Sequence, residues 1–115
     1  MEKDFNIPGS SIQRVIPYMG SCLATDQITV EGRKVGYMYR EEPDDKIDSG
    51  WRFFSGEESD DYVNDPANLA RYDVNTICNY DPAIIPYLES PVGRAFGRVE
   101  GTSKFEEEPL DIEDE

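Results

Sequence analysis

At 115 residues, with 25 Asp and Glu against 11 Lys and Arg, the chain carries a formal net charge of −14 and has no histidine. A length of this order makes one domain, whose core can fold without disulfides or a metal. The charge repels phosphate backbones and anionic membranes, so nucleic acid and lipid surfaces are excluded as partners, and the missing histidine removes the usual base that activates Ser or Cys near neutral pH.

Met1 to Gly20 reads as an N-terminal extension, residues 21–100 as the folded domain and residues 101–115 as an acidic tail. In the extension, Pro8-Gly9 and Pro17 punctuate one apolar run, Ile12 to Ile16, suited to a strand or a turn of helix. Cys22 to Thr25 and Ile28 to Val30 have strand composition, and Glu31-Gly32 offers a tight turn. Arg33 to Arg40 then reads as a returning strand with Val35, Tyr37 and Tyr39 on one face and Lys34, Gly36, Met38 and Arg40 on the other. After the turn Glu41 to Gly50, Trp51 to Phe54 supplies a short bulky strand.

Ser55 and Glu58 have capping-box spacing for a short helix over Glu57 to Val63, and Asp65-Pro66 signals a second one through Ala70. Tyr72 to Ile77 returns to strand composition. Asp81-Pro82 opens a brief helical turn holding Ile84, Ile85 and Leu88, with Pro86 limiting its regularity. Gly93 to Val99 closes the domain as a strand with Phe96 as its core anchor. Glu106 to Glu115 holds seven carboxylates and too little apolar area to offset its ordering entropy, so a disordered tail is expected. Strands separated by short helices and turns make an α+β domain, one antiparallel-rich sheet with helices on one face.

Between Glu41 and Asp65 ten acids stand against two bases, which concentrates negative potential in one stretch. Such a field captures cationic proteins and raises association rate more than affinity. The competing reading is that the charge keeps a small protein soluble and monomeric. Dedicated metal chemistry fails on spacing. In the run Asp44 to Gly50 the third ligand position is Lys46 and the position for the turn glycine is Ser49, and two isolated cysteines make no zinc set. Lys3, Lys34, Lys46 and Lys104 all lie in polar contexts, unsuited to act as a depressed-pKa base, and a sugar cleft between paired carboxylates is hard to build in so small a domain. No catalytic residue, metal or cofactor is therefore expected. Cys22 and Cys78 stand far apart in a chain whose first residues lack the apolar run of a signal peptide, so reduced thiols and a cytoplasmic location are expected, with a bridge open only if their strands are neighbours. Tyr37, Tyr39, Trp51, Phe53 and Phe54 could form a stacking platform, but the flanking charge has the wrong sign for nucleic acid. Core packing accounts for most of them, and one or two beside Arg40 and Arg52 have the composition of a protein-interface hot spot.

Val35 to Pro43, Asp48 to Gly56, Tyr72 to Ile77, Asn79 to Pro82 and Pro91 to Gly93, in this order and spacing, resemble the family of domain of unknown function 2185, also described as immunity-protein-33-like. Cys78 stands where that pattern has a small residue such as alanine. The resemblance covers roughly Gly20 to Val99. It implies a bacterial α+β protein that binds and neutralises a cognate toxin of a polymorphic or contact-dependent system, and it brings no catalytic residue. A negative surface suits a basic toxin. The candidate contact residues are Glu41, Glu42, Asp44, Asp45 and Asp48, extended by Glu57, Glu58, Asp60 and Asp61, with Trp51 or Tyr62 as anchors. The alternative is a small-ligand-binding or regulatory housekeeping domain unrelated to toxins.

Overall fold

The computed structural model describes residues 4–109. The longest strand, β3 (Asp48–Phe54), lies inside one mixed sheet with β1 (Ser21–Thr25), β2 (Tyr37–Arg40), β4 (Leu69–Asp73), β5 (Ala95–Arg98) and β6 (Phe105–Glu108), in the order β4-β1-β3-β2-β5-β6. β1 and β3 run parallel, and the other four neighbouring pairs are antiparallel. The α+β reading holds.

Alternation along the strands assigns the two faces. Ala24, Phe53, Met38 and Phe96 stand in register on one face. There, with Cys22 and Trp51, they meet Ile28, Val74, Ile77, Cys78, Ile84 and Leu88 in a single buried cluster. These come from α1 (Asp26–Thr29), α3 (Val74–Tyr80) and the 3₁₀ turn Pro82–Tyr87 with its C-cap, Leu88. Leu23, Arg52 and Tyr39 share the opposite face, as do Phe54 and Tyr37. Another short helix, α2 (Asp60–Val63), buries no residue and borders that second face.

Several elements differ from their sequence reading. Ile28 and Thr29, expected in a strand, sit in α1, where both are buried. The Thr29 carbonyl accepts from the Tyr80 hydroxyl, which pins that turn to α3. The ladder of β2 begins only at Tyr37, and its alternation is as read: Tyr37 and Tyr39 are half-buried on one face, while Met38 is fully buried on the other, which is the core face. Val35 is buried ahead of the strand, its N–H donating to the Asp81 carboxylate. β4 ends at Asp73, whose side chain accepts from Asn75 N–H and starts α3, so Val74 to Ile77 are helical rather than extended.

Asp65-Pro66 opens only the 3₁₀ turn Pro66–Asn68, and Leu69 and Ala70 belong to β4. Ile12 to Ile16 forms neither strand nor helix. Asn75 and Asn79 on α3 hold this run by accepting from Gln13, Val15 and Ile16 N–H and donating to the Gln13 carbonyl. Glu106 to Glu108, expected in a disordered tail, lie in β6, which is anchored by buried Phe105 packed edge-on to Tyr87. The rest of that tail, residues 110–115, falls outside the described residues.

Candidate functional site

The acidic turn is built around Asp48. Its carboxylate accepts two bonds from the Arg52 guanidinium, at 2.9 and 2.8 Å, and one each from the N–H groups of Asp44 and Gly50. Both side chains of this pair are essentially excluded from water, at 1% and 3% exposure. The guanidinium holds the Asp48 carboxyl far below the usual carboxylate range against the opposing effect of burial, with the two N–H donors assisting. Burial opposes the charge on Arg52, but its bonds to Asp48 and Glu41 keep it more firmly protonated than usual. Asp45 accepts from Ile47 and Asp48 N–H and pairs with Arg71 on β4. Gly50 has φ +90°, and a Cβ there would strike the Glu41 carbonyl, so only glycine closes this turn onto β2.

The candidate acids therefore divide. Asp45 and Asp48 shape the turn, and Glu41 is half-committed through its 2.5 Å bond to Arg52. Glu42 is exposed, and Asp44 is 73% exposed with its carboxylate 3.8 Å from Arg52. In the second group, Glu58 is structural: it accepts from Thr25 Oγ1, Ser55 N–H and Gly56 N–H. Burial raises its pKa, yet these donors outweigh it and leave the carboxyl lowered. This is half of the expected capping box. The helix itself starts later, at α2, where Ser59 accepts from Tyr62 N–H. Glu57 pairs with Arg33, Asp60 and Asp61 project from the first turn of α2, and Tyr62 is half-buried.

Trp51 is corrected outright. It is fully buried, stacked near-parallel with Phe53, and its indole N–H donates to the Leu88 carbonyl at 3.0 Å, so it cannot touch a partner. The anchor composition belongs instead to Tyr37, Tyr39 and Phe54 on the second face, opposite α1 and α3. Tyr37 and Phe54 are a cross-strand pair, and Tyr39 lies diagonally from Phe54 with ring centroids 5.8 Å apart and planes 14° from parallel.

These rings floor a shallow concavity of about 470 Å³. The segment Gly56 to Val63 borders it on one side, and Glu108 of β6 borders it on the other. Gly97 on β5 has no side chain to fill the space, and a Cβ there would run into the Glu108 carboxylate. Burial raises the Tyr37 and Tyr39 hydroxyl pKa values, with Glu108 adding to the first and Glu41 to the second. Treating the chain beyond residue 100 as tail hid Glu108 from sequence reading. The usable signal was Glu100-Gly101-Thr102-Ser103 ahead of Phe105, a turn followed by an apolar anchor.

Cys22 and Cys78 are free and buried, and burial pushes the Cys22 thiol well up and the Cys78 thiol up to about 12. Among the described residues no helix is long and apolar enough to cross a membrane.

Compared with known proteins, the chain matches the family described as Immunity protein Imm33 domain over residues 22–108, from within β1 to the last residue of β6. No curated protein and no solved structure matches it.

Proposed function

The chain belongs to the Immunity protein Imm33 domain family, and from that premise we propose that it binds a cognate protein toxin and neutralises it by occupation, without making or breaking bonds. The observation that carries this reading is the family match across the whole sheet, from β1 to β6.

The charge supports a basic toxin as the target. Glu41, Glu42 and Asp44 at one end of β3, and Glu57, Asp60, Asp61 and Tyr62 at the other, make the contact, while Asp45, Asp48 and Glu58 hold the two segments in shape. A prearranged surface of this kind loses little entropy on docking, and its field accelerates encounter.

Co-expression with the product of the adjoining gene, assayed as the candidate toxin, tests the reading. A stable complex and restored growth are expected. Replacing Glu42, Asp44, Asp60 and Asp61 together by their amides should slow association roughly tenfold at low salt and far less at high salt. Purified chain that neither captures that toxin nor protects cells from it would end the proposal.

A further inference from the structure

The sheet face opposite α1 and α3 has a chemistry that the total charge does not specify. Its floor is aromatic: Tyr37, Tyr39 and Phe54 have ring centroids 5.8 to 6.2 Å apart. Its rim is acidic, with Glu58, Asp60 and Glu108 lining the same concavity. Arg98 is the one basic residue in the lining, and its guanidinium is committed to Asp81 and to the Val35 and Thr102 carbonyls. Asp60 and Glu108 have no ion pair among the described residues. Aromatic faces attract a cation through their quadrupole, and carboxylates at the edge complete its hydrogen bonds.

Resting on the toxin-binding reading, we propose that this concavity is the docking site for an arginine side chain presented by a basic segment of the protein partner. Charge complementarity selects the occupant. A nucleotide or acidic peptide meets Glu58, Asp60 and Glu108 with like charge, and a second copy of the chain brings another net charge of −14. The planar guanidinium, rather than the ammonium of lysine, fits because Tyr39 and Phe54 are within 14° of parallel and give a flat cation one orientation in which to stack. Having no side chain, Gly97 lets the Glu108 carboxylate lie over the strand, where it can accept from the bound guanidinium. Tyr37, Tyr39, Phe54 and Glu108 thereby join the acidic residues as determinants of partner choice.

The probe is acetyl-Gly-Arg-Gly-amide, titrated into the isotope-labelled full chain and followed by amide shifts in NMR, with acetyl-Gly-Lys-Gly-amide as comparison. Saturable shifts at Tyr37, Tyr39, Phe54 and Gly97, larger for the arginine peptide, are expected. Binding should weaken at least about threefold in Glu108→Gln and in Tyr37→Ser. Glu108→Gln changes an exposed edge residue and cannot fail merely by unfolding the chain. Equal shifts from both peptides, centred on Glu42 to Asp45 and indifferent to Glu108→Gln, would overturn the site.

Growth protection separates the two claims. Full protection by a Tyr37→Ser, Glu108→Gln double variant that folds would overturn the docking site and leave immunity standing. A chain that takes the arginine peptide on this face but captures no toxin would keep the site and remove the immunity reading.

Discussion

Replacing Asp48 by Ala tests the most consequential electrostatic arrangement in the fold. The substitution removes two bonds to Arg52 and the acceptor for Asp44 and Gly50 N–H, and it leaves a guanidinium that is 3% exposed with the half-exposed Glu41 and, at 3.8 Å, the exposed Asp44 as its charged neighbours. Stranding one partner of a buried pair costs about 3–5 kcal/mol. With a urea dependence of about 1.5 kcal/mol per molar, the unfolding midpoint should fall by about 2–3 M. Arg52→Met combined with Asp48→Ala removes the stranded charge and should recover part of that loss.

Because the folded carboxyl titrates below its unfolded value, its contribution is fully present above about pH 4 and is lost as pH falls toward the folded pKa. The wild-type and Asp48→Asn midpoints should therefore converge on acidification below about pH 4. A midpoint shift under about 0.5 M for Asp48→Ala, or curves that stay parallel in acid, would refute the account of the turn as folded around this pair.

Trp51→Phe should cost about 1–3 kcal/mol, since it leaves a gap in the core and leaves the Leu88 carbonyl only its longer bond from Arg40, yet toxin capture by the folded fraction should be unchanged. Equilibrium unfolding by circular dichroism and a pull-down measure the two separately. Gly36→Ala should destabilise by about 1–3 kcal/mol, because the new methyl meets the Ser55 carbonyl, a backbone atom that cannot move aside. Gly97→Ala should cost under about 1 kcal/mol, because it meets only the movable end of Glu108. Thermal melts rank the pair, and equal losses would contradict the geometry. Both cysteines should resist an aromatic disulfide reagent at mildly alkaline pH in the native protein and react together on unfolding, as burial raises both pKa values. Rapid modification of the folded chain at either thiol would count against their placement.

Much of the fold was legible because short-range signals agreed with burial. The turn glycine at Gly32, the capping Asp81 ahead of Pro82 and the bulky run of β3 all act locally. Failures came where a local preference lost to tertiary contact. Ile28 and Thr29 are β-branched, yet packing against α3 makes them helical. Asp73 could be read as the end of a strand or as an N-cap, and only the position of α3 decides between them. The phase of β2 was ambiguous in the same way. Tyr-Met-Tyr places bulky side chains on both faces, and the choice follows from Met38 standing opposite Phe53 and Phe96 in the core.

Counting acids located the charged stretch but could not sort its members, because a carboxylate that shapes a turn and one that meets a partner are identical in sequence. Sorting depends on donors. Asp48 and Glu58 each collect three or more hydrogen bonds from groups fixed by the sheet, so replacing either one disturbs the fold before it disturbs a partner. Asp60 and Asp61 project from a one-turn helix with no buried residue and can be neutralised with little structural consequence. A mutational scan of the whole stretch would therefore find its largest losses at Asp48 and Glu58. Those losses would report stability. Contact with the toxin has to be read from Glu42, Asp44, Asp60, Asp61 and Glu108, where a fall in association rate at an unchanged unfolding midpoint can come only from the encounter itself.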